Sequence, residues 1–202
     1  MKKPLLALIA VAAFAVGLFA AVTLTGNKGV FSEAHGTVVP LEKGKFGGDF
    51  TLQQGDNPVQ LKDFQGKIVV FYFGYASCPD VCPTTLSIIG SALKKLKPAE
   101  QEQVQPLFIS VDPERDQGEK LQAYAKHFHP SFIGLTADPD TVQQVASQYG
   151  AFYAKVESDS ALGYLVDHSS KTYLVSKDGQ YAKILPHDMR RADLLASIRE
   201  AL

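Results

Sequence analysis

Two stretches of the chain are apolar at nearly every position, residues 68–73 and 104–111. Both are rich in β-branched and aromatic side chains, a composition typical of strands buried on both faces of a sheet. Shorter segments of similar composition predict further strands, and the turn signal Asp178-Gly179 predicts a hairpin. These additional strands are expected at residues 47–52, 59–61, 132–135, 173–175 and 181–185.

Helical periodicity begins after the first buried strand. Four apolar side chains share one face of a helix predicted over residues 84–97, and similar patterns predict helices at 119–128, 141–149 and 190–202. Strands and helices therefore alternate until a final hairpin and helix. This order predicts an α/β fold in which helices cover both faces of a central sheet.

The amino-terminal region has a different pattern. A short cationic tail, residues 1–4, precedes an uncharged apolar run long enough for a membrane span, which needs about 20 residues. A cleaved signal peptide is the alternative, but no good small-residue cleavage site lies near the end of the run. The sequence thus predicts a transmembrane anchor at 5–25, a polar tether at 26–40 and one domain at 41–202. Lys2 and Lys3 place the tail in the cytoplasm and the domain outside it, which in a bacterium means the periplasm.

Composition limits the classes of function. The 202 residues are 46% hydrophobic and carry a net charge of −1, which suits a single domain with its own core. A chain so close to neutrality, without a dense basic stripe, is not expected to bind nucleic acid.

The candidate chemistry lies at Cys78 and Cys82, which are the two cysteines of the whole chain. A structural disulfide across so short a loop would restrain little of the unfolded chain. The pair can instead exchange electrons as a dithiol or hold a soft metal ion. Pro83 is best tolerated at the start of a helix, which predicts Cys82 near the helix start and Cys78 in the preceding loop. There the positive end of the helix would lower the pKa of both thiols.

The spacing of the two cysteines favours a metal. A thioredoxin-type oxidoreductase is expected to carry two intervening residues, whereas three separate Cys78 from Cys82. Two thiolates select Cu(I), or zinc if enough further ligands join them. Among the histidines, His168 lies in a predicted loop before the strand at 173 and is the candidate third ligand. Helix-end or tether positions account for the others, which are His35, His127, His129 and His187.

Three segments resemble the Sco/SenC family, membrane-anchored copper proteins that help to assemble the copper centre of cytochrome c oxidase. They are YFGYASCPDVCP at 72–83, SVDPERD at 110–116 and DHSS at 167–170. The resemblance covers residues 41–202 and implies a thioredoxin-like fold. It also implies that Cys78, Cys82 and His168 bind Cu(I), or Cu(II) with a further ligand, and that a copper-accepting oxidase subunit is the partner. Residues 112–116 are interpreted as a structural or partner-facing loop.

Two functions remain open at this point. The chain could be a copper metallochaperone for cytochrome c oxidase, or a membrane-tethered thiol-disulfide reductase that acts on the cysteines of the oxidase subunit. A copper- or redox-sensing protein would use the same residues. The cysteines permit all three, and the resemblance favours the metallochaperone.

Overall fold

The computed structural model describes residues 46–159 and 163–202. The predicted tail, anchor and tether lie outside these residues. Within the described part, no helix combines the length and the apolarity needed to cross a bilayer.

Five strands form the central sheet of this part of the chain, in the order β5-β4-β3-β8-β9. Two further pairs, β1-β2 and β6-β7, form separate two-stranded sheets. The strands are β1 (Thr51–Gln54), β2 (Asn57–Gln60), β3 (Ile68–Gly74), β4 (Val104–Ser110), β5 (Ile133–Leu135), β6 (Tyr153–Glu157), β7 (Tyr164–His168), β8 (Thr172–Val175) and β9 (Tyr181–Leu185).

Alpha-helices lie between β3 and β4, between β4 and β5, and between β5 and β6, and a short 3₁₀ helix at Leu61–Phe64 follows β2. The α-helices are α1 (Val81–Leu93), α2 (Pro98–Gln101), α3 (Gly118–Phe128), α4 (Pro139–Gln148) and α5 (Arg191–Ala201). Each predicted helix is present, with boundaries shifted by a few residues.

Strand β3 is the centre of the sheet, and all of its residues are buried. It runs parallel to β4, from the pair Ile68–Val104 to the pair Gly74–Ser110, and antiparallel to β8. The apolar run in the sequence therefore marks a strand with neighbours on both edges. Its carboxyl end delivers the chain into the cysteine loop.

Helices pack on both faces of the sheet, as predicted. On one face the ring of Phe71 lies 4.9 Å from that of Tyr149, which follows α4. The next residue, Tyr72, faces the opposite side together with its register partner Phe108. There Phe108 packs 5.3 Å from the ring of Tyr124 in α3. This mixed α/β arrangement is thioredoxin-like.

Two local expectations need correction. The helix after the cysteine loop begins at Val81, not at residue 84, so Cys82 lies within its first turn. Pro83 is the third helical residue, where the missing N–H would have no intrahelical partner anyway. In addition, His168 is the last residue of strand β7 and not part of a loop. The β6-β7 hairpin itself was not predicted.

Candidate metal centre

Cys82 is anchored in the first turn of α1 and is fully buried. Its sulfur lies against Gly74, the last residue of β3. A methyl group built on Gly74 would stand only 2.7 Å from the sulfur, closer than any real contact of this kind. The absence of a side chain at this position therefore creates the space that the sulfur occupies.

Cys78 lies in the loop between β3 and α1 and is partly exposed. Its backbone N–H donates a hydrogen bond of 3.2 Å to the carbonyl oxygen of Tyr75. This turn folds the loop back, so that the Cys78 thiol faces the start of the helix that carries Cys82. The prediction of one cysteine in the loop and one at the helix start is confirmed in this respect.

His168 brings a nitrogen to the two thiols from the separate β6-β7 hairpin. Its Nε2 lies 3.2 Å from the sulfur of Cys82, and its Nδ1 lies 3.4 Å from the carbonyl oxygen of Ser169. When Nδ1 carries the proton and faces that carbonyl, Nε2 is left with a lone pair directed at the sulfurs. The rings of Tyr72 and Tyr75 stand edge-on to the imidazole, with centroids 5.9 and 5.8 Å away.

The three donor atoms lie within 4.8 Å of one another. Among residues 46–159 and 163–202, no second group of three histidine, cysteine or acidic side chains brings its ligand atoms this close together. Metal–sulfur bonds of about 2.3 Å place two sulfurs at most about 4.6 Å apart around one ion. The group can therefore close on a single ion with little movement, and two sulfurs with one imidazole suit soft Cu(I).

The two thiols differ strongly in acidity. A hydrogen bond from Cys82 is the largest cause that lowers the pKa of Cys78, to about 3, against the opposing effect of burial. His168 lowers it further. The same interaction, together with burial, raises the pKa of Cys82, so the prediction that the helix start lowers the pKa of both thiols is wrong for Cys82. The two thiols therefore titrate as a coupled pair, and Cys78 is the more acidic of the two.

Tyr72 adds a buried hydroxyl beside this pair. It is fully buried in β3, and burial raises the pKa of its phenol above the ordinary value. Within the described residues, the hydroxyl has no hydrogen-bond partner in ordinary geometry. The rings of Tyr72 and Phe108 border the space at Gly74 next to the Cys82 sulfur, and Cys82 is fully buried.

Asp116, in the segment interpreted from the sequence as a structural or partner-facing loop, supports the cysteine loop through contacts that the sequence does not predict. Oδ2 of Asp116 accepts hydrogen bonds from the backbone N–H of Ala76 and from the hydroxyl of Ser110, both 2.7 Å long. Burial raises the pKa of this carboxyl. In the sequence, the one signal for this role is that Asp112 to Asp116 directly follow a buried strand, where side chains gather at the sheet's carboxyl edge.

The other histidines within the described residues lie outside the group. His129 contacts the hydroxyl of Ser131 at 2.7 Å, next to the carboxyl end of α3. Asp80 and Asp167, which flank the site in sequence, are exposed and do not belong to the group of three. His35 lies outside the described residues.

Comparison with known proteins gives a consistent result for most of the chain. A sequence profile of the SCO1/SenC family matches residues 39–202. Two relatives, one mitochondrial and one bacterial, align with more than two thirds of this chain. The SCO1 homolog 1 of Arabidopsis thaliana mitochondria is 42% identical over 142 residues, which are 70% of this chain and 42% of the Arabidopsis protein. A SCO2-like protein of Rickettsia prowazekii is 38% identical over 156 residues, 76% of each chain.

Solved structures agree with these alignments. The crystal structure of Arabidopsis thaliana ScoI with copper bound is 37% identical, with a TM-score of 0.70, and the alignment covers 77% of this chain and 99% of that one. The fold described above is thus the fold of a protein that binds copper in its crystal structure.

Proposed function

The chain belongs to the SCO1/SenC family, and from this premise we propose that it is a copper metallochaperone. It binds copper through Cys78, Cys82 and His168 and delivers the ion to the copper centre of cytochrome c oxidase, or prepares that centre for loading. Copper is in this view the cargo of the protein. The ion supplies no chemistry of its own beyond exchange between sulfur and nitrogen ligands.

One observation carries the proposal: two sulfurs and one imidazole nitrogen converge within 4.8 Å. The two sulfurs come from a loop and the helix that follows it, and the nitrogen comes from a separate hairpin, 86 positions beyond Cys82 in the sequence. Two thiolates with one neutral imidazole form a low-coordinate set that favours Cu(I), and carboxylates that would suit harder ions are exposed outside it. The aromatic rings around His168 keep the buried side of the set dry.

A Cu(I) titration against a competing chelator tests the three ligands. We expect one copper per chain, loss of binding in Cys78→Ser and Cys82→Ser, and weaker binding in His168→Ala. His129→Ala is the matched control, because that imidazole lies outside the group and should leave the affinity unchanged. Unaltered affinity in His168→Ala would contradict the three-ligand site.

The partner is a copper-accepting subunit of cytochrome c oxidase. A direct test loads the chain with one Cu(I), mixes it with the metal-free soluble copper domain of that subunit, and separates the two proteins. Copper should move to the acceptor faster than it moves to an equal concentration of a chelator of equal affinity. Equal rates would show free release and contradict directed delivery.

A thiol-disulfide reductase acting on the acceptor's cysteines is the second candidate. The observation in its favour is the low pKa of Cys78 beside a second, protonated thiol, since a thiolate is the attacking form in disulfide exchange. The two functions differ in their copper dependence. Reduction of the acceptor disulfide by the copper-free chain, at a rate that Cys78→Ser abolishes, would support the reductase.

The proposal includes membrane attachment. Residues 5–25 anchor the chain, residues 26–40 tether the domain at 41–202, and the domain lies on the periplasmic side. The apolar run after Lys2 and Lys3 supports this topology. The full chain should remain in bacterial membranes after alkaline carbonate washing, and external protease should digest its domain in spheroplasts. Protection of the domain would reverse the proposed orientation.

A further inference from the structure

Two buried carboxylates lie in the segment of residues 112–116, between β4 and α3. Asp112 is 0% exposed and Asp116 is 3% exposed. Carboxylates are seldom buried unless hydrogen bonds or ion pairs satisfy them, because removing the charge from water is costly. The partners of these two groups are therefore informative, and each connects to a different part of the metal site.

Asp116 connects to the cysteine loop. Its Oδ2 accepts from the backbone N–H of Ala76, two residues before Cys78, and from the hydroxyl of Ser110 at the end of β4. This bond joins residues 40 positions apart in the sequence. It ties the start of the cysteine loop to the neighbouring strand of the central sheet, so the loop does not depend on its own short turn alone.

Asp112 connects to the hairpin that carries His168. Its Oδ1 accepts a hydrogen bond of 2.7 Å from the hydroxyl of Tyr164, the first residue of β7. Its Oδ2 pairs with the guanidinium group of Arg115. Arg115 in turn donates from Nη1 to the carbonyl oxygen of Tyr164, at 3.1 Å. His168 lies four residues farther along the same strand.

Arg115 stands between the two parts. Its Cζ atom lies 3.7 Å from the ring centroid of Tyr164 and 5.7 Å from that of Tyr75. Tyr75 precedes the cysteines, and its ring stands edge-on to His168. A guanidinium over the face of an aromatic ring is attracted to it by a cation–π interaction. Hydrogen bonds and stacking thus link loop, segment and hairpin without a break.

The hairpin requires such support. Strands β6 and β7 pair only with each other and are not part of the central sheet. A lone two-stranded hairpin is marginally stable in water, so ladder bonds alone would not hold His168 at hydrogen-bond distance from Cys82. Contacts from outside the hairpin must determine where it lies.

We propose that the segment 112–116 is a positioning element that sets the distance of His168 from the two thiols. Asp116 fixes the cysteine side, and Asp112 with Arg115 fixes the histidine side through Tyr164. The inference rests on the proposed function, because it assigns to this segment the geometry of the copper site. It also gives a role to a charged block that the ligand set itself leaves unused.

The test compares variants of the full chain, purified in mild detergent, by three measurements: Cu(I) affinity, the electron paramagnetic resonance spectrum of bound Cu(II), and the Tm of the metal-free protein. Asp116→Ala removes the acceptor for Ala76, and Tyr164→Phe removes one hydroxyl from the contact with Asp112. Glu119→Ala is the control for the first, since it removes an exposed carboxylate of α3. Tyr153→Phe is the control for the second, since Tyr153 lies in the same hairpin but its hydroxyl contacts the carbonyl oxygen of Pro139 in α4 and not Asp112.

We expect Cu(I) affinity to fall by about 10- to 100-fold in Asp116→Ala, the range typical when outer-shell partners of metal ligands are removed. Asp116→Asn keeps an accepting oxygen and should recover most of that affinity. Tyr164→Phe should weaken the nitrogen hyperfine coupling of His168 to Cu(II) while copper still binds with both sulfurs. A merely structural role would lower Tm without changing this coupling.

Wild-type affinity and coupling in both Asp116→Ala and Tyr164→Phe would overturn the inference. If Asp116→Ala fails to fold, the result for Tyr164→Phe decides alone. Failure of the proposed function has a different signature, because then the wild-type chain itself would bind no copper at Cys78, Cys82 and His168. The controls should behave as the wild type in every measurement.

Discussion

Gly74 fixes the position of the Cys82 sulfur by having no side chain. A Cβ atom at this position would meet the sulfur at 2.7 Å, the ring of Tyr72 at 3.0 Å and that of Phe108 at 3.2 Å. All three neighbours are fully buried, so none can retreat into solvent. Small-to-large changes in such packed surroundings cost about 1–3 kcal/mol and shift nearby atoms.

Gly74→Ala should therefore lower Cu(I) affinity at least tenfold, because the displaced sulfur no longer faces Cys78 and His168. Chelator competition measures the affinity and chemical denaturation measures stability. Gly90→Ala is a matched control: its Cβ would collide with the carbonyl oxygen of Phe128, away from the site. That variant should lose stability but retain copper affinity, and equal affinity loss in both would point to general unfolding instead.

The acidity of Cys78 predicts an unusual pH dependence of alkylation. The hydrogen bond from Cys82 lowers the pKa of Cys78 well below that of an ordinary thiol, which titrates at about 8.5. In the reduced, metal-free chain, the rate of Cys78 alkylation should therefore depend much less on pH between 5 and 8 than the rate of an ordinary thiol. Mass spectrometry of iodoacetamide-treated protein gives the rate at each cysteine.

Cys82 should react slowly over the same range, because its sulfur is buried and its pKa is raised. In Cys82→Ala the hydrogen bond to Cys78 is lost, so alkylation at pH 5 should slow markedly. A wild-type rate that rises tenfold per pH unit from 5 to 8 would mean that Cys78 is an ordinary thiol.

The site joins two secondary-structure units, the five-stranded central sheet and the two-stranded β6-β7 sheet. We expect the two units to differ in local stability. The thiols belong to the five-stranded sheet and α1, while His168 belongs to a hairpin that pairs only with itself. Backbone amides in such a hairpin open more readily than those of a central strand such as β3. Binding an ion between the two parts should restrain the hairpin.

Hydrogen exchange measures this restraint. In the metal-free chain, amides of β6 and β7 should exchange faster than those of β3, and one equivalent of Cu(I) should slow exchange in β6 and β7. The β1-β2 hairpin, also two-stranded, carries no ligand and serves as the internal control. Equal slowing in both hairpins would indicate a general effect of copper and not a local one at His168.

The elements also show what could be predicted from sequence. Strand β3 could be predicted because its residues are buried on both faces and are therefore apolar. Helix α4 is also predicted, but from residue 141, whereas it begins at Pro139 and is capped by the side chain of Asp138, which accepts from the N–H of Thr141. Strand β6 gave no such signal, because three of its five residues are exposed. Its strand state depends on pairing with β7, beyond the reach of a local pattern.

The same limit applies to charged residues. Cys78, Cys82 and His168 stood out because cysteines and histidines are rare and lie in recognisable motifs. The sequence predicts a structural or partner-facing loop at residues 112–116, but it does not predict that Asp112 and Asp116 are buried, since charged loop residues are usually solvated. Their burial follows from partners about 40 to 50 positions away in sequence, Ala76 and Tyr164, and only the folded chain brings these together.

For the whole molecule, copper should act as a stabilising ligand. An ion that binds only the folded state adds about 2.7 kcal/mol when its free concentration is 100 times Kd. For a chain of this size, that corresponds to a Tm increase of roughly 5–10 °C. Calorimetry with one equivalent of Cu(I) should show the increase, and a chelator of higher affinity should reverse it.

Cys78→Ser is the control for this effect, because without the thiolate the increase should disappear while the metal-free Tm stays close to that of the wild type. A persistent increase in this variant would place the stabilising ion elsewhere on the chain. The measurement thus links the stability of the fold to occupancy of one site.

The three candidate ligands differ in burial, and this difference predicts the order in which they would release a bound ion. Cys82 is fully buried, whereas Cys78 and His168 are both partly exposed to solvent. Under the proposed function, we expect an incoming thiolate to approach a bound ion from the side of these two exposed residues and to replace their bonds first. Cys82 should then be the last ligand to exchange. The ion should therefore leave on the exposed side of the site, away from the buried Cys82.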